Sequence, residues 1–207
     1  MLQPAIFSAE SVANDTADVV QALHSLESSV PQAILMHASI FSFDVEKLYP
    51  SIDQQKVIDA VRYILTGYYS AYPIAKWGLI VEAACEFLQI IFDAQICSFK
   101  PLSCDPVCVR RNTVCKFYRQ ITGITTGLSC ATQVANAFLL SFDRQIARIL
   151  ASNLWLHKRF VDDVLIVSTQ YNRLELLDIC NSWCPGIVVT NDELQTDTAT
   201  TFLDDRT

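Results

Sequence analysis

The sequence predicts an α/β (α+β) fold, a sheet with helices packed on one face. Short apolar runs rich in β-branched and aromatic residues alternate with longer stretches of helical periodicity. The 207 residues are 51% hydrophobic with only 5 Gly and 7 Pro, which excludes a disordered, collagenous or linker-like chain and suffices for a sizeable core. No internal repeat is visible, and the length corresponds to one domain with at most an appendage.

The elements follow in order. Residues 1–35 are polar to mixed, with a helix expected from Asp15 to Leu26. Ile34 to Asp44 reads as a strand, and Tyr49-Pro50-Ser51 as a turn whose Ser51 caps a helix from Asp53 to Leu65. Tyr68 to Pro73 is a loop, and Trp77 to Ile96 a long helix. The prolines and polar residues of 100–112 mark a loop. Val114 to Ile121 is a second strand, Gly123 to Ser129 a tight loop, and Ala131 to Leu150 a strong helix. Leu156 to Ser168 reads as a hairpin with Asp162 and Asp163 in its turn region. A helix from Asn172 to Trp183 and short strands at 187–190 and 200–203 complete the chain.

Net charge is −7, which argues against a surface that binds nucleic acid all over and leaves room for a small basic groove. Residues 1–43 hold no Lys or Arg, and after Asp163 only Arg173 and Arg206 are basic. The dense basic positions are Arg110, Arg111, Lys116, Arg119, Lys158 and Arg159, read either as a residual groove or as a solvated face. The N-terminus has no basic, apolar leader pattern, and no run of about 18 uncharged apolar residues exists. The expectation is an intracellular protein, nuclear or cytoplasmic, with no membrane contact. The eight Cys then read as reduced thiols. Cys104, Cys108 and Cys115 lack both the tight spacing and a nearby His of a zinc site.

Two acidic sites stand out because each interrupts an apolar strand: Asp44 in Phe41–Val45, and Asp162-Asp163 in Phe160–Val167. Carboxylates in such a setting need a neutraliser, and a divalent cation is the simplest one. Mg²⁺ takes one or two carboxylates plus substrate phosphates, and two ions about 4 Å apart assist phosphoryl transfer. The bland alternative is a hairpin turn with solvated Asp residues.

Three segments together resemble the palm of reverse transcriptases. Phe43-Asp44-Val45-Glu46-Lys47-Leu48-Tyr49-Pro50-Ser51-Ile52 is similar to the first palm motif. Gly123-Ile124-Thr125-Thr126-Gly127 followed by Ala135-Asn136 is similar to the second, and Arg159-Phe160-Val161-Asp162-Asp163 to the third. Within that superfamily the nearest resemblance is to Penelope-like retroelements, through Leu48–Ile52, Tyr118-Arg119-Gln120 and Phe202-Leu203-Asp204. The resemblance implies a polymerase palm with an antiparallel sheet over residues 36–207. Residues 1–35 would be an N-terminal remnant or partial fingers, with fingers and thumb largely missing. It implies an RNA-directed DNA polymerase that uses two Mg²⁺ (Mn²⁺ can substitute) to join dNTPs to a DNA or RNA primer on an RNA template. Asp44 and Asp162 would ligate both metals, with Asp163 and the Val45 carbonyl as further ligands. Tyr49 would be the steric gate against ribonucleotides, and Thr126 and Gly127 would contact the nucleotide. Arg119, Asn136, Lys158, Arg159, Phe160 and Val161 would line the template-primer. Thr126, Ala131 and Thr132 depart from the family pattern, and the family's lysine after the hairpin has no match. A second reading is a non-catalytic remnant that serves as a nucleic-acid-binding or scaffold module.

Overall fold

The computed structural model describes residues 2–7, 9–71, 76–99 and 116–191. Eight α-helices and six strands lie in these segments: α1 (Leu2–Phe7), α2 (Thr16–Ser29), α3 (Gln32–Leu35), β1 (Ser39–Glu46), α4 (Leu48–Ser51), α5 (Gln54–Ser70), α6 (Trp77–Asp93), β2 (Ile96–Phe99), β3 (Lys116–Arg119), α7 (Ala131–Leu150), β4 (Leu154–Phe160), β5 (Asp163–Ser168), α8 (Arg173–Asn181) and β6 (Val188–Thr190). The main sheet has the order β4-β5-β1-β6 with every named pairing antiparallel. β2 and β3 form a separate two-stranded sheet.

Alternation along the strands sorts the two faces. Phe41, Phe43 and Val45 of β1 and Val164 and Ile166 of β5 enter the large core with residues of α5, α6 and α7. Their neighbours Ser42, Asp44 and Leu165 necessarily point the other way. On that second face a smaller cluster joins Leu165, Ile40, Leu156 and Phe160 to Ala13, Val19 and Leu23, so α2 covers part of it at the β4 edge. Double coverage explains why β5 reads as an unbroken apolar run. Ala5, Ile6 and Val12 belong to the large core, so the segment before residue 36 packs against the same core as the sheet and helices that follow. Residues 11–13 also hydrogen-bond along the β4 edge: Arg159 N–H donates to the Ser11 carbonyl and Ala13 N–H to the Arg159 carbonyl, both at 2.8 Å.

Several boundaries differ from expectation for local reasons. Pro31 precedes the short helix α3, so β1 begins at Ser39 instead of Ile34. The expected turn at 49–51 is the single helical turn α4. Asp53, not Ser51, caps α5, accepting from the N–H groups of Gln55 and Lys56. α5 runs on to Ser70 through the expected loop because its buried stripe of Val57, Val61, Ile64 and Leu65 anchors it. α6 ends at Asp93, and the apolar residues after it form β2. Asn172 caps α8 in a capping box with Glu175. The loop at 100–112 and the strand at 200–203 lie outside the described residues, as do Arg110, Arg111 and the segment Phe202-Leu203-Asp204.

Candidate active site

The two acidic segments meet at one end of the main sheet. Asp44 on β1 and Asp163 on β5 are direct cross-strand partners, although 119 positions separate them in sequence. Directly opposed positions in an antiparallel pair point to the same face. Asp44 is exposed there, and Asp162 and Asp163 are half-buried. Asp162 sits in the two-residue connection between the paired residues Phe160 and Asp163. Its carbonyl accepts the Val45 N–H at 3.1 Å, which ties the turn to β1.

The turn itself is strained. Val161 has φ +55°, while Asp162 keeps a negative φ. This matches in sign a II′ hairpin turn, whose first central residue is ordinarily Gly. A β-branched residue there is a conformational outlier, of the sort that persists only where surroundings enforce it. Arg159 lies against this turn. This side chain is fully buried, donating from Nε and Nη2 to the two carboxylate oxygens of Asp143 at 2.9 Å each. Its Nη1 donates to Asn136 Oδ1 at 2.6 Å and to the Val161 carbonyl at 2.9 Å. Ser11 Oγ donates to Asp143 Oδ2 at 3.1 Å. Burial would raise the Asp143 pKa, but Arg159 and the hydrogen bonds overcome it and hold the carboxyl below its ordinary range. His157 Nε2 lies 3.5 Å from Asp143 Oδ1 without a hydrogen bond. Burial pushes the His157 pKa down despite the pull of Asp143, so it is neutral at pH 7.

The other sequence-selected residues divide between the site and the interior. Tyr49 lies in α4, directly after β1, with its ring partly buried against the core and its hydroxyl 3.5 Å from Thr132 Oγ1. The glycine loop docks onto this turn: Gly123 N–H donates to the Ile52 carbonyl and Ile124 N–H to the Tyr49 carbonyl, both at 2.8 Å. Gly123 has φ +75°, and a Cβ there would stand 2.7 Å from the Pro50 backbone, so only glycine fits. Thr126 and Gly127 are exposed, and a Cβ at Gly127 would meet open space. Asn136 and Arg159 spend their polar groups on each other, Asp143 and the turn. Lys158 Nζ donates to the Glu10 carbonyl at 2.9 Å and lies 3.6 Å from Asp18. These three residues thus face the protein interior. Arg119 is exposed on the separate sheet and pairs with Asp93 at 3.3 Å. Phe160 packs in the smaller cluster and Val161 against the large one.

Sequence reasoning missed Asp143. The signal was present: Leu139, Asp143, Ile146 and Leu150 fall on one helical stripe, and a carboxylate on a buried stripe requires an internal cation.

Among the described residues, no group of three or more His, Cys, Asp and Glu side chains is placed to hold a metal ion. Asp44 and Asp163 are cross-strand partners with Asp162 beside them, two carboxylates of the kind that Mg²⁺ takes together with phosphate oxygens. Cys180 and Cys184 are buried thiols engaged in the interior: burial pushes the Cys180 thiol up to about 12, and the Cys184 Sγ accepts from Lys56 Nζ at 3.4 Å. No helix among the described residues is long and apolar enough to cross a membrane.

No family model and no curated protein matches the sequence. Solved structures do match. Apo telomerase from Candida tropicalis, truncated from its C-terminal domain, superposes with a TM-score of 0.64 at 14% identity, covering 98% of this chain and 41% of that one. Telomerase from Candida albicans in complex with a TWJ fragment of telomeric RNA gives 0.60 at 15% identity, over 96% of this chain and 35% of that one. The chain thus spans well under half the length of these structures. Telomerase is a reverse transcriptase, and the protein described here has the reverse-transcriptase-like, palm-like fold of its core.

Proposed function

We propose that the chain is the palm of an RNA-directed DNA polymerase of a retroelement, nearest to the Penelope-like lineage. The observation that carries this reading is the direct opposition of Asp44 and Asp163 on the sheet face away from α5 and α7, with Asp162 tied to β1 beside them. Asp44, Asp162 and Asp163 would hold two Mg²⁺, which, when bound, offset charge on the phosphates and favour the attacking primer hydroxyl. The remaining work belongs to the chain. The β1–β5 pairing fixes the spacing of the carboxylates, and the Val45 N–H fixes the turn. Tyr49, held by Ile124 through its own carbonyl, would lie under the nucleotide sugar and exclude a 2′-hydroxyl, so dNTPs are selected. Exposed Thr126 and Gly127 would contact the nucleotide, and a Cβ at Gly127 would meet nothing within 4 Å, so its backbone is open to approach.

RNA as a partner agrees with the telomerase neighbour solved with a fragment of telomeric RNA. The Penelope-like assignment rests on the Leu48–Ile52, Tyr118–Gln120 and Phe202–Asp204 segments. A second reading, a folded remnant without catalysis, draws on the interior engagement of Lys158 and Arg159, which leaves fewer cations for a phosphate backbone. Primer extension separates the two. Purified protein is offered RNA or DNA templates, dNTPs or NTPs, and Mg²⁺ or Mn²⁺. Extension with dNTPs on RNA, lost in Asp44→Asn and Asp162→Asn, supports the polymerase. Folded protein that extends no primer under any combination favours the remnant.

A further inference from the structure

Arg159 is the largest fully buried side chain among the described residues, and its ion pair with Asp143 does not account for itself as a stabilising device. Buried ion pairs are often replaceable by apolar residues with no loss of stability, so a retained one invites a positional explanation. The geometry supplies one. Nε and Nη2 are anchored on the Asp143 carboxylate, and Nη1 reaches past Asn136 to the Val161 carbonyl. That carbonyl belongs to the one residue of the catalytic turn with a left-handed backbone. The turn is thereby pinned twice, by Arg159 from the helix side through Val161 and by Val45 from β1 through Asp162.

We propose that Arg159 is a positioning residue: anchored on Asp143 and Asn136 of α7, it holds Val161 in its strained conformation and so sets the placement of the Asp162 and Asp163 carboxylates opposite Asp44. The metal and nucleotide consequences rest on the polymerase reading, but the brace does not. A rigid planar fork is required, because one terminus must satisfy the carboxylate while another reaches the turn. Lysine keeps the charge on Asp143 and loses the second reach. Glycine at 161 adopts the same backbone without strain and makes the brace dispensable.

The test is a double-mutant cycle of Arg159→Lys, Val161→Gly and the combined variant, with Arg159→Met/Asp143→Leu as an apolar replacement in case the lysine variant unfolds. Three quantities are read: the urea midpoint, Mn²⁺ affinity by electron paramagnetic resonance, and kcat and KM for dNTP in primer extension. Arg159→Lys is expected to lower kcat about 100-fold with KM changed far less, as for a sub-ångström to ångström misplacement. Mn²⁺ affinity is expected to fall about 10-fold, as for loss of a group that orients metal ligands. Adding Val161→Gly recovers at least about half of each loss on a logarithmic scale, and the urea midpoints of the pair are non-additive. A folded Arg159→Lys or Arg159→Met/Asp143→Leu protein with wild-type Mn²⁺ affinity and kcat overturns the proposal. So do additive midpoints with no rescue by glycine. Wild-type protein that extends no primer refutes the polymerase reading alone, since midpoint coupling still decides the brace.

Discussion

Replacing Gly123 by Ala tests how the glycine loop is fastened to the first acidic motif. A Cβ at this position stands 2.7 Å from both Cα and O of Pro50 and 2.9 Å from its carbonyl carbon. These are backbone atoms, so no side-chain rotation relieves the overlap. Relief requires the loop to withdraw, and three hydrogen bonds resist: Gly123 N–H to Ile52, Ile124 N–H to Tyr49, and Gln54 Nε2 to the Gly123 carbonyl. The left-handed φ of +75° adds about 1–2 kcal/mol for any L residue. Overpacking against backbone adds about 1–3 kcal/mol. The stiffer unfolded chain returns about 0.4–1 kcal/mol. The net expectation is a loss of about 2–4 kcal/mol, within the 5–15 kcal/mol available to a domain, so the variant remains mostly folded. At a urea m-value of about 2 kcal/mol/M the midpoint falls by about 1–2 M. Gly127→Ala is the control, because its Cβ meets nothing within 4 Å, and it should stay within about 0.5 kcal/mol of wild type. In the folded fraction of Gly123→Ala, the KM for dNTP should rise more than kcat falls, since α4 and Tyr49 shift with the loop. A midpoint change below about 0.3 M, or equal changes at 123 and 127, would refute the reasoning that the two motifs touch through this glycine.

Acid sensitivity should trace first to His157 and then to Asp143. The folded-state pKa of His157 lies below its ordinary 6.5, so its contribution is fully present above pH 6.5 and is lost as pH falls toward the folded value. The slope is at most about 1.4 kcal/mol per pH unit, and His157→Leu should flatten urea midpoints measured between pH 6.5 and 5. Asp143, held below its ordinary 3.8, loses its contribution only at pH values under that, so the two residues act in separate windows. Asp44→Asn, at an exposed position of β1, should leave the chain folded. Millimolar Mn²⁺ should raise the Tm of wild type and not of this variant; equal shifts would place the ion elsewhere. Tyr49→Ala should reduce discrimination against ribonucleotides by at least about 10-fold in paired primer-extension assays, and unchanged discrimination would leave Tyr49 with packing alone.

The fold and the acidic constellation were legible because they depend on local signals. Helical periodicity located α5, α6 and α7, and the interrupted apolar strands located Asp44 and Asp163. What could not be read was direction. Lys158 and Arg159 look alike in sequence, two cations before an acidic turn, and both invite assignment to a phosphate backbone. Strand alternation sends them to opposite faces, Lys158 toward Glu10 and Asp18, and Arg159 toward α7. A segment 140 or more positions upstream supplies the partners of Lys158, and no local pattern announces a contact that distant. Arg159 was recoverable, because Asp143 stands on the buried stripe of α7 and needs a cation from the sheet side. Only a strand position facing α7 can supply one, and Arg159 occupies that parity in β4 together with His157. A buried acid should therefore be matched to an internal partner before its candidate cations are assigned to a ligand. Followed here, that order assigns Arg159 to the interior and places it under the Val161–Asp162 turn.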